Sequence, residues 1–238
     1  EILKKPAAFI FEIIENHYAK KLDGIITVSN HIKKRFDKLH RKVVICHNYA
    51  SLNEFEKASN WDEQNKNHVC YVGAISKIRG IYNIVEATQK ANVKLEIAGP
   101  TQSQELLNKL NSNNVIYHGF ADREKVKSMF SNSFAGLVTF RPAPNHNNAN
   151  PNKLFEYMAA GLPVIVSNFK PWKTIIDENE LGITVNPENI EEIAEAIIYL
   201  NQNKAVAKQM GENGRKAFEE KFNWQIEEKK LIELYKHI

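Results

Sequence analysis

Cysteine is scarce in this chain, with only Cys46 and Cys70 among 238 residues, each inside an apolar run. Neither has metal-ligand spacing, so no zinc site follows. Two isolated thiols do not build the disulfide framework of a small secreted domain, and both read as reduced core residues of a cytosolic protein. Long hydrophobic runs are missing too: none approaches the ~20 residues of a membrane span. The apolar AAFIFEII near the start is interrupted by Glu12, which argues against a signal peptide. The chain opens on Glu1 in mid-pattern, as though cut from something longer. There is no Gly-Lys-Ser/Thr ending of a Walker A loop and no Gly-x-Gly-x-x-Gly fingerprint, and neither repeats nor low-complexity tracts occur.

What is present is a soluble globular composition. A hydrophobic content of 43% and a charged content of 25% support a core in one large or two small domains. The net charge of +4 admits an anionic ligand or surface without requiring nucleic acid, and a plain solvated surface accounts for it first.

Read in order, Pro6 to Leu22 is a predicted helix and Ile25 to Val28 a short buried strand. Ser29 caps a second helix, HIKKRFDKL, whose basic residues suit either phospholipid headgroups or plain solvent. Val43 to Cys46 is another strand, and the polar stretch Ser51 to Asn67 reads as a boundary between structural units. From Asn67 the pattern alternates strand and helix. Strands are expected at His68 to Val72, Val93 to Ala98, Asn114 to His118, Phe134 to Phe140, Pro163 to Ser167 and Gly182 to Val185. Helices fill the gaps, and the chain ends with three more, the last from Trp224. This alternation predicts an α/β fold with a doubly wound parallel sheet. Ligands of such sheets collect at the carboxyl ends of the strands, where the strand order reverses.

Three loops at strand ends carry unusual chemistry. Gly73 to Gly80 has glycine at both ends with Lys77 and Arg79 between, which suits a phosphate or diphosphate beside a helix start. His118 to Asp122 exposes backbone at Gly119 and offers Phe120 either as a shelf for a flat base or as a core aromatic. Arg141 to Asn152 is long and rich in Asn and Pro, with Arg141, His146 and Lys153 in or beside it. Then Asn150 reads as an N-cap and Pro151 as the first residue of a helix that Gly161 stops before a buried strand. The start of that helix is a candidate anion site. Glu156 on it reads either as the acceptor for a vicinal diol or as a solvent-facing helix glutamate.

Several stretches in order, YVGAISKIRG at Tyr71 to Gly80, IAGP at Ile97 to Pro100, VIYHG at Val115 to Gly119 and PNKLFEYMAAGLPVIVS at Pro151 to Ser167, resemble the landmarks of the retaining family 4 glycosyltransferases with the GT-B fold. The resemblance runs from about Ile25 to the C-terminus. It implies that residues 1–45 are a remnant of the N-terminal acceptor domain with the hinge. Residues 46–238 would be the Rossmann-like nucleotide-sugar-binding half, its final helix, with Trp224 and Tyr235, crossing back to the N-terminal domain. The family's pair of glutamates facing the donor falls on Asn148 and Glu156, so the ribose contact survives while the donor-sugar contact becomes an amide. The family's Arg after the loop glycine is Ala74 here and its Lys is Arg79, so Lys77 or Lys153 would supply the missing cation. The backbone of Asn150, Pro151 and Asn152 would approach the diphosphate and sugar, and Gly119 and Phe120 the base.

The implied reaction is transfer of a hexosyl or N-acetylhexosaminyl group from a UDP- or GDP-sugar to a glycan or lipid-linked acceptor, with retention. No Asp-x-Asp motif occurs, and no metal or other cofactor is expected. The acceptor would bind through the missing part of the N-terminal domain, so this chain alone should bind donor without transferring sugar. Cytoplasmic work follows from the resemblance, with peripheral membrane association an open alternative. A GT-B UDP-sugar epimerase and a non-catalytic nucleotide-sugar module are the competing readings, the latter encouraged by Asn148 and Ala74. A nucleic-acid partner is not expected, because the interleaved basic and aromatic strands of such domains are absent.

Overall fold

A computed structural model describes residues 4–55, 61, 66–144, 146 and 149–237, with side chains from Phe9 onward. By its contacts the chain divides into two compact units, residues 1–49 with 224–238 and residues 50–223.

The smaller unit is built around a parallel strand pair. Helix α1 (Lys4–Ala19) leads to β1 (Ile25–Thr27), and α2 (Asn30–Phe36) connects it to β2 (Val43–Ile45). Ser29 caps α2 as its position predicts, its hydroxyl accepting from Ile32 N. Ala19, Ile25, Phe36 and Val43 form the small core. The final helix, α10 (Trp224–Lys236), packs against β2 and buries Glu227, whose carboxylate accepts from His47 N at 3.0 Å.

The larger unit is the predicted parallel sheet. Its strands are β3 (His68–Val72), β4 (Lys94–Ala98), β5 (Val115–Tyr117), β6 (Ser133–Val138), β7 (Val164–Ser167) and β8 (Gly182–Val185). Their order across the sheet is β5-β4-β3-β6-β7-β8, every pair parallel. The chain winds outward from β3 to β5, then returns to the other side of β3 as β6. The reversal therefore lies between β3 and β6. All residues of β6 and β7 are buried, so both faces of the sheet are covered, which is why these strands read as continuous apolar runs.

The helices are α3 (Ile81–Lys90), α4 (Gln104–Leu110), α5 (Arg123–Asn132), α6 (Asn152–Ala159), α7 (Lys170–Asn179), α8 (Ile190–Gln202) and α9 (Lys204–Lys221). Helix α3 packs on α4 and α8, and α6 on α9. Helix α6 stops as predicted, at Gly161 with φ 66°. Leu162 N bonds to Tyr157 O and Gly161 N to Met158 O, closing the helix end before β7 begins. Its start differs by one residue from the sequence reading. Pro151, not Asn150, is the N-cap, with ψ at 123° and Leu154 N bonding to Pro151 O. Among the described residues no side chain caps this helix, so its first N–H groups stay available.

Two glycines of α9 test how tightly α9 meets its neighbours. A Cβ at Gly211 would lie 2.1 Å from the Gly161 carbonyl oxygen, whereas one at Gly214 would meet nothing closer than 3.6 Å. Gly214→Ala should stabilise the protein by about 1 kcal/mol through helix propensity. Gly211→Ala, the same change three residues away, should instead cost about 1–3 kcal/mol by overpacking. Urea denaturation of the two variants reads the opposite signs.

Candidate functional site

A cavity of about 700 Å³ opens at the carboxyl ends of β3 and β6, where the strand order reverses. The volume lies in the range of pockets that enclose cofactor-sized ligands. Its walls come from the loop after β3, the start of α5, the end of the β6 run and the first turns of α6.

One end is cationic. Lys153 sits in the first turn of α6 with its ammonium 3.8 Å from the Tyr71 ring centroid and 4.9 Å from that of Phe140. The Arg79 guanidinium lies 4.2 Å from the Phe140 centroid. Among the described residues neither cation has an ion-pair partner. A Cβ at Gly73, whose φ is 133°, would lie 2.7 Å from Lys153 Nζ, so glycine is what lets the amine reach the loop backbone. Desolvation by burial, and then the charge of Arg79, hold the Lys153 amine well below the usual lysine range, with Glu156 opposing them. The uncapped N–H groups of α6 face the same space, since Pro151, Asn152 and Lys153 all line it.

The other end is acidic and paired. Glu156, one turn along α6, is largely buried with its Oε1 3.0 Å from Arg123 Nη1, and is not the solvent-facing glutamate that its position allowed. Arg123 Nη2 in turn lies 2.5 Å from Glu54 Oε1. Phe120 stands at the mouth, 88% exposed, which removes its reading as a core aromatic. The loop that carries it is anchored by His118, whose Nε2 lies 2.8 Å from the buried Glu96 carboxylate.

The structure thus brings Gly73, Arg79, Phe120, Asn150, Pro151, Asn152, Lys153 and Glu156 to one cavity. Lys77 is exposed on the 3-10 turn Lys77–Arg79 and does not line the cavity. Gly119 does not line it either; its carbonyl accepts from Gly99 N, one residue before the exposed Phe120. Asn148 lies outside the described residues. Arg141 and His146 take structural work. Arg141 pairs with Glu188 at 2.7 Å, and His146, buried against Phe140, places Nδ1 2.9 Å from the Arg141 carbonyl. Trp172 Nε1 donates to Ala149 O and holds the loop just before α6.

Sequence reading missed Arg123, Glu54, Tyr71 and Phe140. Arg123 carried one signal, its place at the head of α5 directly after the Gly119–Phe120 loop. Tyr71 and Phe140 sit in strand-like apolar runs and look like core. Among the described residues, no three His, Cys, Asp or Glu side chains come together as metal ligands, and no helix is long and apolar enough to cross a membrane.

Comparison with known proteins matches residues 53–217 to the family described as glycosyl transferases group 1. An uncharacterised glycosyltransferase of Methanocaldococcus jannaschii is 25% identical over 236 residues, covering 89% of this chain and 59% of that protein. The capsular polysaccharide biosynthesis glycosyltransferase CapM of Staphylococcus aureus is 27% identical over 177 residues, covering 69% of this chain and 44% of CapM. The chain spans between 44% and 63% of the length of the curated relatives it matches. Among solved structures, Anabaena Alr3699/HepE in complex with UDP and glucose superposes with a TM-score of 0.73 at 15% identity, over 94% of this chain and 66% of that one. The shared fold is GT-B.

An anion held between Lys153 and Arg79 would return the amine toward its ordinary value. The amine's own contribution to binding is then uptake of a proton at any pH between the lowered and the restored value, and that contribution weakens affinity as pH rises through the window. Inorganic pyrophosphate carries titrating protons of its own, so the readout is a difference: calorimetry in buffers of different ionisation enthalpy should show more proton uptake in the wild type than in Lys153→Arg, whose guanidinium stays charged throughout. Equal proton exchange in the two chains would refute the assignment.

Proposed function

Because the chain belongs to the group 1 glycosyl transferases, we propose that its 50–223 unit binds a nucleoside-diphosphate sugar, UDP- or GDP-linked, and that the whole protein transfers the sugar with retention to a glycan or lipid-linked acceptor. The observation that carries this reading is the polarity of the cavity. Two cations without ion-pair partners among the described residues stand at one end, and a held carboxylate stands about one helical turn away. A diphosphate joined to a ribose presents the complementary order of charge and hydroxyls.

In this reading Arg79, Lys153 and the first N–H groups of α6 hold the diphosphate, Glu156 accepts from the ribose diol, and Phe120 meets the base. Departure of the nucleoside diphosphate is the difficult step. Fixed cations and helix N–H groups, already in place before the reaction, stabilise the charge that develops on it. The proposed step uses no metal. Asn148, in the position of the family's first glutamate, would hydrogen-bond sugar hydroxyls but supply no negative charge near a developing oxocarbenium. Assignment to the retaining family 4 enzymes rests on the ordered stretches Tyr71 to Gly80, Ile97 to Pro100, Val115 to Gly119 and Pro151 to Ser167.

The Anabaena structure with UDP and glucose supports a UDP-linked donor, and the Staphylococcus aureus relative supports a polysaccharide acceptor. Residues 1–45 are proposed as a remnant of the acceptor domain. The grouping of 224–238 with 1–49 supports a final helix that returns to it. On this reading the protein works in the cytoplasm, against the inner membrane face when the acceptor is lipid-linked.

Calorimetry with UDP, GDP and their sugars tests the donor half. Binding of at least one nucleotide is expected, weakened about tenfold or more in Glu156→Ala by loss of a charged hydrogen bond. Sugar transfer is expected from the full-length protein and not from this chain. Absence of binding to every nucleotide, or unchanged affinity in Glu156→Ala, would sink the site. Nucleotide binding without transfer by the full-length protein would leave a non-catalytic module.

A further inference from the structure

Glu156 is not aimed at the cavity by its own helix alone. One of its oxygens, Oε1, is taken by Arg123 Nη1 at 3.0 Å, and the other guanidinium edge is taken by Glu54 Oε1 at 2.5 Å. Arg123 is the first residue of α5, where Asp122 fixes the turn by accepting from Lys125 N at 2.8 Å. The guanidinium carbon lies 5.3 Å from the centroid of Phe55, which is fully buried and packs on Phe130, itself packed on Tyr157 of α6. Three segments remote in sequence meet at this one side chain.

Stability does not account for the arrangement. The Arg123 side chain is 53% exposed, and ion pairs with that much solvent contribute little to folding. What the geometry does provide is direction. A glutamate side chain has three rotatable bonds, and an unheld carboxylate loses that freedom when a ligand binds. Arg123 removes the freedom beforehand. Its planar fork serves two carboxylates at once, which a lysine's single ammonium does with less directional control.

Resting on the reading that Glu156 meets the ribose, we propose that Arg123 is a positioning residue: clamped by Glu54, it occupies one oxygen of Glu156 and presents the other to the ribose diol. Arg123 thereby sets how strongly the site prefers ribonucleotides to deoxyribonucleotides. It acts through Glu156 and does not itself bind the diphosphate.

The readout is the ratio of affinities for UDP and 2′-deoxy-UDP on the 238-residue chain, with GDP and 2′-deoxy-GDP run alongside. A ratio cancels any change in the attraction between the diphosphate and the net charge of the site. The wild-type chain should prefer the ribonucleotide by about tenfold or more, the scale of a hydrogen bond to a charged group. Arg123→Met should reduce the ratio to about threefold or less, with Arg123→Lys intermediate because it keeps the charge and loses the fork. Glu54→Gln, which leaves Arg123 in place and loosens its anchor, should also lower the ratio, and it carries the test if circular dichroism shows Arg123→Met to be unfolded. A wild-type ratio retained in the folded Arg123 and Glu54 variants, together with its loss in Glu156→Ala, would overturn the clamp and leave the ribose assignment standing. A wild-type chain without preference between the two nucleotides would overturn both.

Discussion

Tyr157 ties α6, the helix of the candidate site, to the centre of the sheet. Its ring lies so close to Gly136 of β6 that a Cβ there would fall 2.4 Å from the ring, and its hydroxyl accepts from Val72 N at 3.2 Å and donates to Cys70 O. One side chain therefore touches both strands that flank the reversal of strand order. Because Lys153 is one turn earlier on α6 and Glu156 adjacent, fixing Tyr157 fixes where both of these charged side chains enter the crevice. The end of β3 at Val72 is held in the same contact, so the Gly73 loop and α6 keep their spacing.

The cavity built on that contact has two ends with different electrostatic logic. At the Lys153 end, charge is kept away from water and without an ion-pair partner among the described residues, bordered by the rings of Tyr71 and Phe140. Such a site has attraction in reserve for an arriving anion. At the Glu156 end the charge is already paired, and pairing there leaves orientation as its main product. A ligand with a dense anion at one end and neutral hydroxyls at the other fits this division. Membership of the group 1 glycosyl transferases is consistent with it.

Much of the fold was legible in the chain because its causes are local. β-Branched apolar runs such as Val164 to Val166 mark strands buried on both faces, Ser29 and Asp122 mark helix starts, and Gly161 marks a stop. The site was legible in part. Lys153, Glu156 and Arg79 stood out as charges beside helix starts and strand ends. Lys77 stood out for the same reason, yet in a 3-10 turn residues two apart point to different sides, and only Arg79 faces the cavity. The cap of α6 shifted from Asn150 to Pro151 because proline's φ fits the cap and the first helical position alike, and only the observed ψ separates them.

By itself the sequence determined the alternation of strands and helices, the parallel sheet and the loops that gather at its carboxyl edge, since periodicity and capping act within a few residues. Tertiary structure alone decided which charges are paired. Arg123 joins Glu54 to Glu156 across about a hundred residues of chain, Arg141 is drawn off to Glu188, and Lys153 comes to rest between Tyr71 and Phe140. Such partnerships depend on distance in space after packing, and no spacing along the chain encodes them.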